Sequence, residues 1–588
     1  MVRTPHRRTP VDHLARVVPV LDWGRRYDRG DLRSDLLAGL TVGAMLVPQG
    51  MAYALLAGLP PEIGLYAAIV PVLVYAVLGT SRQLAVGPVA IVSLLTASAL
   101  GELAEEGSAD YLVAASTLAV LVGGIHLLIG GLRLGFLVNF LSHAVLVGFT
   151  AGAAVIIGFS QLKHLLGIST ERTERFDETV REYATGLGDT HGLTLAVGVL
   201  AVGLLLVMKR RLPTLPAALI VVAVTTAMSV IFDLGDRGVA VVGDIPGDLP
   251  SLSFPDLGGG LVGDLLPTAL VITVVGFLES IAIAKVYARR NRYRIEANQE
   301  LVALGAANVA GGAFGAYPVT GGFSRTAVNA SAGARTPLAS IVTALLVLAT
   351  VVLLTPAFTE LPKATLGAVV VVAVAGLVDV AELRHMAAVD RADLLVAVVS
   401  FGATLAIGIE LGIGVAIAFS VLVLLYRQAR PHTAVLGRLP GTDVFRNIDR
   451  FPEVETSPSA VVLRVDSSLN FMNSTFLRPR VDRLLRDHAA ARIVVLDCSG
   501  VNRLDASAEQ ALTELLEELD GRSIELHLTN LKGPVRDALI GGGLWRRLGD
   551  RLHATNAEAL ARLDVEERPD EPRPTSIDRR PTGVDERG

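Results

Sequence analysis

Cysteine is nearly absent from this 588-residue chain: Cys498 stands alone. That excludes an internal disulfide and any cysteine-based metal cluster. The histidines are few and scattered, and His126, His143, His164 and His385 do not lie at metal-ligand spacing to one another or to an acid. Packing or loop roles are therefore expected for them, and a zinc enzyme is excluded. Aromatic residues make up only 5% of the chain, and no basic patch is interleaved with them. With a net charge of -5, nucleic acid is not an expected partner. A cleaved leader is not expected either: residues 1–35 hold eight Arg and five Asp, with no apolar run before Leu36. The scarcest thing of all is charge between residue 36 and about 428.

What fills that region is apolar sequence. The whole chain is 51% hydrophobic with a mean hydropathy of +0.53, too apolar for one soluble domain and too long for one core. Run after run is long enough to enter a bilayer. The pattern predicts fourteen membrane segments, near 36–56, 62–79, 84–100, 111–131, 136–158, 192–208, 213–232, 264–286, 299–312, 317–333, 337–355, 364–380, 392–408 and 411–427. With the N-terminus inside, the even-numbered loops carry Arg82, Arg133, Lys209 to Arg211, Arg289 to Arg292, Arg335, Arg384 and Arg391. The opposite short loops carry almost no Lys or Arg, and Gly101 to Asp110 is purely acidic. This asymmetry is the positive-inside pattern. It predicts a multi-pass protein of the cell inner (plasma) membrane with both termini cytoplasmic.

Two segments are broken. Gln83 to Val89 and Tyr317 to Ser324 each read as an extended piece, a Gly/Pro break and a short helical run. The half-helices are expected to begin at Pro88 and near Phe323. Irregular backbone at that depth is tolerated only where protein covers it or it lines a cavity. The two breaks lie about 235 residues apart, as do segments one and eight. Seven spans per half, an odd number, turn the second half upside down, so a 7+7 inverted repeat is predicted, with its site at the repeat interface. The half-helix N-termini then converge from two sides and favour an anion. Two charges fall in the same region: Glu279 on segment eight and Arg325 just past the second break. Charges at membrane depth point first to a substrate or ion pathway.

After Arg430 the composition is that of a soluble protein. Strands are predicted at 460–466, 492–497 and 523–529, alternating with helices at 475–487, 508–519 and 534–540, which makes a small α/β domain. The tail from Glu566 is rich in Pro, Arg, Asp and Glu and is expected to be disordered.

Several stretches resemble one known family. They are Val47-Pro48-Gln49-Gly50-Met51-Ala52-Tyr53-Ala54, the run from Gly79 to Pro88, Val147 to Gly152, and Phe323-Ser324-Arg325-Thr326-Ala327-Val328-Asn329 with Ala332 to Thr336. In this order they resemble the SulP family of anion permeases, and the C-terminal domain resembles the STAS domain attached to them. The resemblance covers nearly the whole chain except the termini. It implies an N-terminal arm (1–35), a transport domain (36–430), a cytoplasmic STAS domain (431–565) and a tail (566–588). Within the transport domain it implies a core (36–131 and 264–355) that moves like an elevator against a gate (136–232 and 364–428). It implies an anion site at Gln49, Tyr53, Gly87, Pro88, Val89, Phe323, Ser324 and Arg325, with Glu279 at the acidic position used for proton or sodium coupling. It also implies no other cofactor, a homodimer, and a regulatory partner at the STAS domain.

The residue chemistry supplies roles beside the resemblance. Gln49 and Ser324 offer uncharged donors, and Arg325 offers charge and several donors. An ionised Glu279 would repel a dianion and a protonated one would not, which couples anion loading to proton uptake. Against these stand structural readings. Glu279 could pair with Lys285 or Arg325, and Gln49 and Ser324 could satisfy broken backbone. Tyr53 taken alone is a packing aromatic. Lys285 and Glu410 sit near segment ends and are expected to snorkel. Cys498 is expected in the core at a strand-to-loop turn. Ser507 lies where related soluble domains are phosphorylated, yet a helix N-cap is its favoured role. The match of Leu141 through Leu166 to sulfate-type members tilts the expectation to proton-coupled sulfate uptake. Sodium-coupled bicarbonate and proton-coupled C4-dicarboxylate are alternatives within the family. An uncoupled anion channel or exchanger and a nucleobase symporter are the alternatives from other classes. None of these is an enzyme.

Overall fold

Leu32–Leu56 forms one continuous helix, α1, although Pro48 lies inside it. A proline there removes a main-chain hydrogen bond, and the helix survives because the turn around it, from Leu46 to Ala54, is buried by its neighbours. In the computed structural model of the chain, the described residues are 17–136, 142–168, 176–212, 215–252, 255 and 258–566. Residues 1–16 of the arm, Leu141 and nearly all of the predicted tail lie outside them. Contacts divide the chain into two units, Met1–Ser420 and Val421–Gly588.

The first unit is helical. Every predicted segment contains helix. Among the described residues eight helical runs are long and apolar enough to cross a membrane, and Ala90–Gly101, Ala217–Phe232 and Leu338–Leu353 are shorter apolar helices. The elements that build the site are α1, β1 (Val86–Gly87), α2 (Ala90–Gly101), α3 (Ala109–Gly131), α4 (Gly259–Arg290), α5 (Ala297–Ala313), β2 (Thr320–Gly321), α6 (Phe323–Ser331), α7 (Leu338–Leu353) and α8 (Lys363–Val374). Helix α8 ends earlier than the segment predicted to 380, because a 3-10 turn at Ala375–Leu377 interrupts it.

Small residues let these helices approach closely. A Cβ placed on Gly123 of α3 would stand 2.6 Å from the carbonyl oxygen of Gly305 on α5, and one on Gly305 would stand 2.9 Å from that of Gly123. Between apolar helices in lipid, such backbone contact replaces the hydrophobic drive that water would supply. Two buried acids tie loops to this bundle. Asp35 accepts from the Arg335 and Thr336 N–H groups and the Thr336 hydroxyl, at 2.7, 3.1 and 2.6 Å. Glu300 accepts from Tyr75, from the Thr80 N–H and hydroxyl, and from the Ser81 N–H, at 2.6 to 3.1 Å.

The second unit carries a six-stranded sheet in the order β4-β3-β5-β6-β7-β8. Its strands are β3 (Thr433–Arg438), β4 (Phe445–Asn447), β5 (Ala460–Val465), β6 (Ile493–Asp497), β7 (Glu525–Thr529) and β8 (Leu552–His553). From β5 to β8 all neighbours are parallel, and β3 is antiparallel to both β4 and β5. The predicted strands and helices of this region are present, while β3, β4 and β8 were not anticipated. Cys498 is buried on the turn after β6, as expected. Ser507 is not the N-cap of its helix. That role belongs to Asp505, whose carboxylate accepts from the Ala508 N–H at 2.9 Å, and Ser507 sits exposed within the first turn. A carboxylate outcompetes a hydroxyl two residues later because the cap must precede the first helical residue.

Candidate functional site

The two chain breaks meet. Strands β1 and β2 pair antiparallel, Val86 with Gly321 and Gly87 with Thr320, and the Gly322 N–H donates to the Ala85 carbonyl at 3.1 Å. Each strand runs directly into a short helix. The first helix begins at Ala90 rather than Pro88, with Val89 still extended as its N-cap, and the second begins at Phe323 after Gly322. Neither N-cap residue supplies a side-chain cap. The N–H groups of these first turns are the donors an anion would find, except that of Phe323, which already faces the Glu279 carboxylate. Gly87 has φ +147°, a backbone conformation that side-chain-bearing residues rarely adopt.

Helix α4 holds β2 in place. The Ser280 hydroxyl lies 2.8 Å from the Gly276 carbonyl and 2.7 Å from the Thr320 hydroxyl, and it accepts from the Gly321 N–H at 2.9 Å. On α5, Asn308 clasps Val319 from both sides, accepting from its N–H at 2.8 Å and donating to its carbonyl at 2.9 Å. The Thr326 hydroxyl accepts from the Ala85 N–H at 3.1 Å, and Asn329 donates to the Gln83 carbonyl at 2.9 Å. The irregular backbone is thereby paired without water, as membrane depth requires.

Beside this pair lies a cavity of about 50 Å³. That is space for roughly four water-sized probes, on a scale of 10–15 Å³ each. Gln49, Tyr53, Val89, Glu279, Phe323, Ser324 and Arg325 all line it. Gly87 and Pro88 do not. Gly87 lies behind Arg325, and Pro88 offers its carbonyl to the Arg325 guanidinium. The wall that sequence reasoning missed is apolar and comes from the end of α8, Ala373 and Val374, and from Leu377 in the 3-10 turn after it. Nothing in that uniformly apolar run distinguished them.

Arg325 and Glu279 are both buried, at 2% and 6% exposure. They do not satisfy each other. Glu279 Oε2, Arg325 Nε and Arg325 Nη2 are buried without a hydrogen-bond partner. Arg325 and Glu279 form no direct ion pair, yet each lies within the other's field, so the reading in which Arg325 neutralises Glu279 stands beside the functional one, and Lys285 is exposed. Buried polar atoms without a hydrogen-bond partner are rare, which makes the Arg325 and Glu279 side chains the centre of the candidate site. Gly322 leaves room for the guanidinium: a Cβ there would lie 3.1 Å from Arg325 Nη2. Among the histidines, His126 is buried with Nε2 3.2 Å from the Thr273 carbonyl on α4, and His143 meets Glu382 at 3.1 Å. Among the described residues there is no group of three or more metal-ligating side chains.

Comparison with known proteins reads on this geometry. Residues 32–400 match the Sulfate permease family and residues 451–559 match the STAS domain. The chain belongs to the sulfate permease family. It is 39% identical over 560 residues to sulfate transporter 4.1, chloroplastic, of Arabidopsis thaliana, covering 92% of this chain and 81% of that protein. It is 38% identical over 527 residues to a probable sulfate transporter of Mycobacterium tuberculosis, covering 90% and 94%. The solved structure of the murine solute carrier 26 family member A9 anion transporter, in the inward-facing state, superposes with a TM-score of 0.85 at 26% identity, covering 96% of both chains. The transmembrane domain of a cyanobacterial bicarbonate transporter shares the fold, with a TM-score of 0.59 at 22% identity over 67% of this chain and 98% of that one. This family member is a multi-pass membrane transporter of anions, with a C-terminal STAS domain, and is not an enzyme.

Proposed function

We propose that the chain takes up sulfate together with protons, and that the anion sits in the cavity between β1–α2 and β2–α6. The observation that carries this is the pair of unsatisfied buried groups, Arg325 Nη2 with Nε and Glu279 Oε2, on one cavity of a few-atom size. Sulfate as the substrate is supported by the names of the relatives that match over most of the chain. In this reading Arg325 supplies charge. Gln49, Ser324 and the first-turn N–H groups of the two half-helices other than that of Phe323 supply donors, and Tyr53 closes one side.

Glu279 supplies the coupling. Ionised, it opposes a dianion a few ångströms away in a low-dielectric site, where repulsion is strong. Protonated, it does not, so the loaded state takes up a proton with the anion. The apolar wall of Ala373, Val374 and Leu377 makes no polar bond that must break, which suits a surface against which the core slides. We infer an elevator-type movement of residues 36–131 and 264–355 on that basis, in the plasma membrane with both termini in the cytoplasm.

The test is radiolabelled sulfate uptake into proteoliposomes with and without an inward proton gradient, competed by bicarbonate, succinate and uracil. Gradient-driven sulfate uptake is expected. Accumulation of a competitor in its place would overturn the substrate, and uracil alone would overturn the anion site. Glu279→Gln is expected to abolish the response to the gradient while sulfate counterflow persists in part. A Glu279→Gln protein with unchanged gradient-driven uptake would remove Glu279 from coupling.

A further inference from the structure

Three loops and the N-terminal arm line a broad, half-open cavity on the face that the arginine pattern assigns to the cytoplasm. It measures about 910 Å³ and adjoins another of about 350 Å³; the two share Asp22, Trp23, Arg26 and Arg82 as walls. The first is of the size that holds a small organic ligand. No residue from 142–232 or 363–429 lines either one. They are therefore separate from the small cavity at Arg325, one of whose walls is Ala373 to Leu377.

The lining is chemically biased. Four arginines face these cavities: Arg26, Arg82, Arg294 and Arg335. Two are engaged at the rim, Arg26 with Asp22 at 2.9 Å and Arg335 with Asp31 at 2.7 Å. Those pairs are exposed and hold little energy. Arg82 and Arg294 have no ion pair among the described residues, and Glu296 is the only further acid in the lining. Arg82 is nevertheless held in place. Its guanidinium lies over the Tyr293 ring at 4.9 Å, and its main-chain N–H donates to the Tyr293 hydroxyl at 3.0 Å. A stacked guanidinium keeps its edge donors for another group. The Trp23 indole N–H, in the same wall, is buried without a hydrogen-bond partner. Arg82, fixed by its stack on Tyr293, and the exposed Arg294 face one remaining acid, Glu296, and this excess of cationic donors is the makings of an oxyanion site.

We propose that this cavity binds a phosphate-bearing ligand, with Arg82 and Arg294 pairing to the phosphate beside the Trp23 side chain in the same wall. Two sources share that chemistry: a free phosphorylated solute, and the headgroup of an anionic lipid at the cytoplasmic leaflet. Binding would also reach the half-helix α6. Tyr293 donates to Gln83 Oε1 at 2.7 Å, Gln83 donates to the Ala334 carbonyl at 3.0 Å, and Asn329 of α6 donates to the Gln83 carbonyl.

The chain supplies its own probe. Trp23 and Trp545 are its only tryptophans, so the full-length Trp545→Phe protein reports from Trp23 alone. Its fluorescence is titrated in detergent with inorganic phosphate. It is then measured in vesicles of neutral lipid with and without phosphatidic acid. A saturable change with inorganic phosphate assigns a free solute, and a change only with phosphatidic acid assigns a headgroup. In either case Arg82→Gln with Arg294→Gln is expected to weaken the response at least about tenfold. Arg294→Gln alone, an exposed substitution, is expected to weaken it in part. No change with either probe, or a response unaltered in both variants, would overturn the site.

Discussion

Arg325 illustrates how much one side chain is asked to do. One of its nitrogens props the chain break through the Pro88 carbonyl, the other two are buried without a hydrogen-bond partner, and the side chain lines the cavity. A lysine has the charge but not the fork. Arg325→Lys is therefore expected to fold and yet bind sulfate at least about tenfold more weakly, measured by equilibrium binding. Equal affinity would show that charge alone suffices. Gly322→Ala probes the same group from behind, and its methyl is expected to displace the guanidinium and lower affinity likewise. Far from the membrane, Cys498 gives a different kind of residue test. Burial, with Asp497 beside it, pushes its thiol up to about 12. Since the pKa of this acid is raised, the thiol stays neutral and inert through pH 10. No alkylation by iodoacetamide is expected at pH 8 until the domain is unfolded, and prompt labelling of the native protein would contradict the burial.

At the scale of elements, the two-residue ladder between β1 and β2 depends on a few hydroxyls and two amides, those of Asn308 and Asn329. Asn308→Ala leaves the Val319 N–H and carbonyl unpaired in an apolar interior, which is expected to cost about 2 kcal/mol or more. A lowered melting temperature in detergent, with weaker sulfate binding, is the expected result. An unchanged melt would mean that the backbone repairs itself. The residues of this site were legible in the sequence where their chemistry was unusual for their depth. Glu279 and Arg325 are charges in an apolar run, and Gly87-Pro88 breaks one. The ladder was not legible, because two residues are too few to show a period of two. Nor were Ser280 and Thr320, since hydroxyls are common in membrane helices and only their partners distinguish them. Asp35 and Glu300 were passed over for a related reason. Near segment ends an acid reads as solvated, and only the fold reveals the N–H and hydroxyl donors around it. The half-helix start at Pro88 was misplaced by two residues because Val89 remains extended.

At the scale of the molecule, the fold class was readable from run length and charge asymmetry, which report on lipid and not on packing detail. The α/β domain was readable from its buried strands, while β3, β4 and β8 escaped because they are short or flanked by polar residues. Its core, centred on Leu463, Leu496 and Leu528, is closed within the domain. Residues 431–566 expressed alone are expected to be soluble and to melt in one cooperative transition, followed by circular dichroism. A broad, non-cooperative melt would show that the domain needs the rest of the chain.

The pairing of β1 with β2 also sets a timetable. Val86 and its partner Gly321 are 235 residues apart in the chain, and synthesis proceeds at about 5–20 residues per second. Residues 83–101 therefore enter the membrane roughly 10–50 s before the strand that completes them exists. During that interval their irregular backbone has no ladder partner, in a solvent that supplies no hydrogen bonds. The ladder, and with it the cavity it borders, therefore forms only after the second half of the chain has been made.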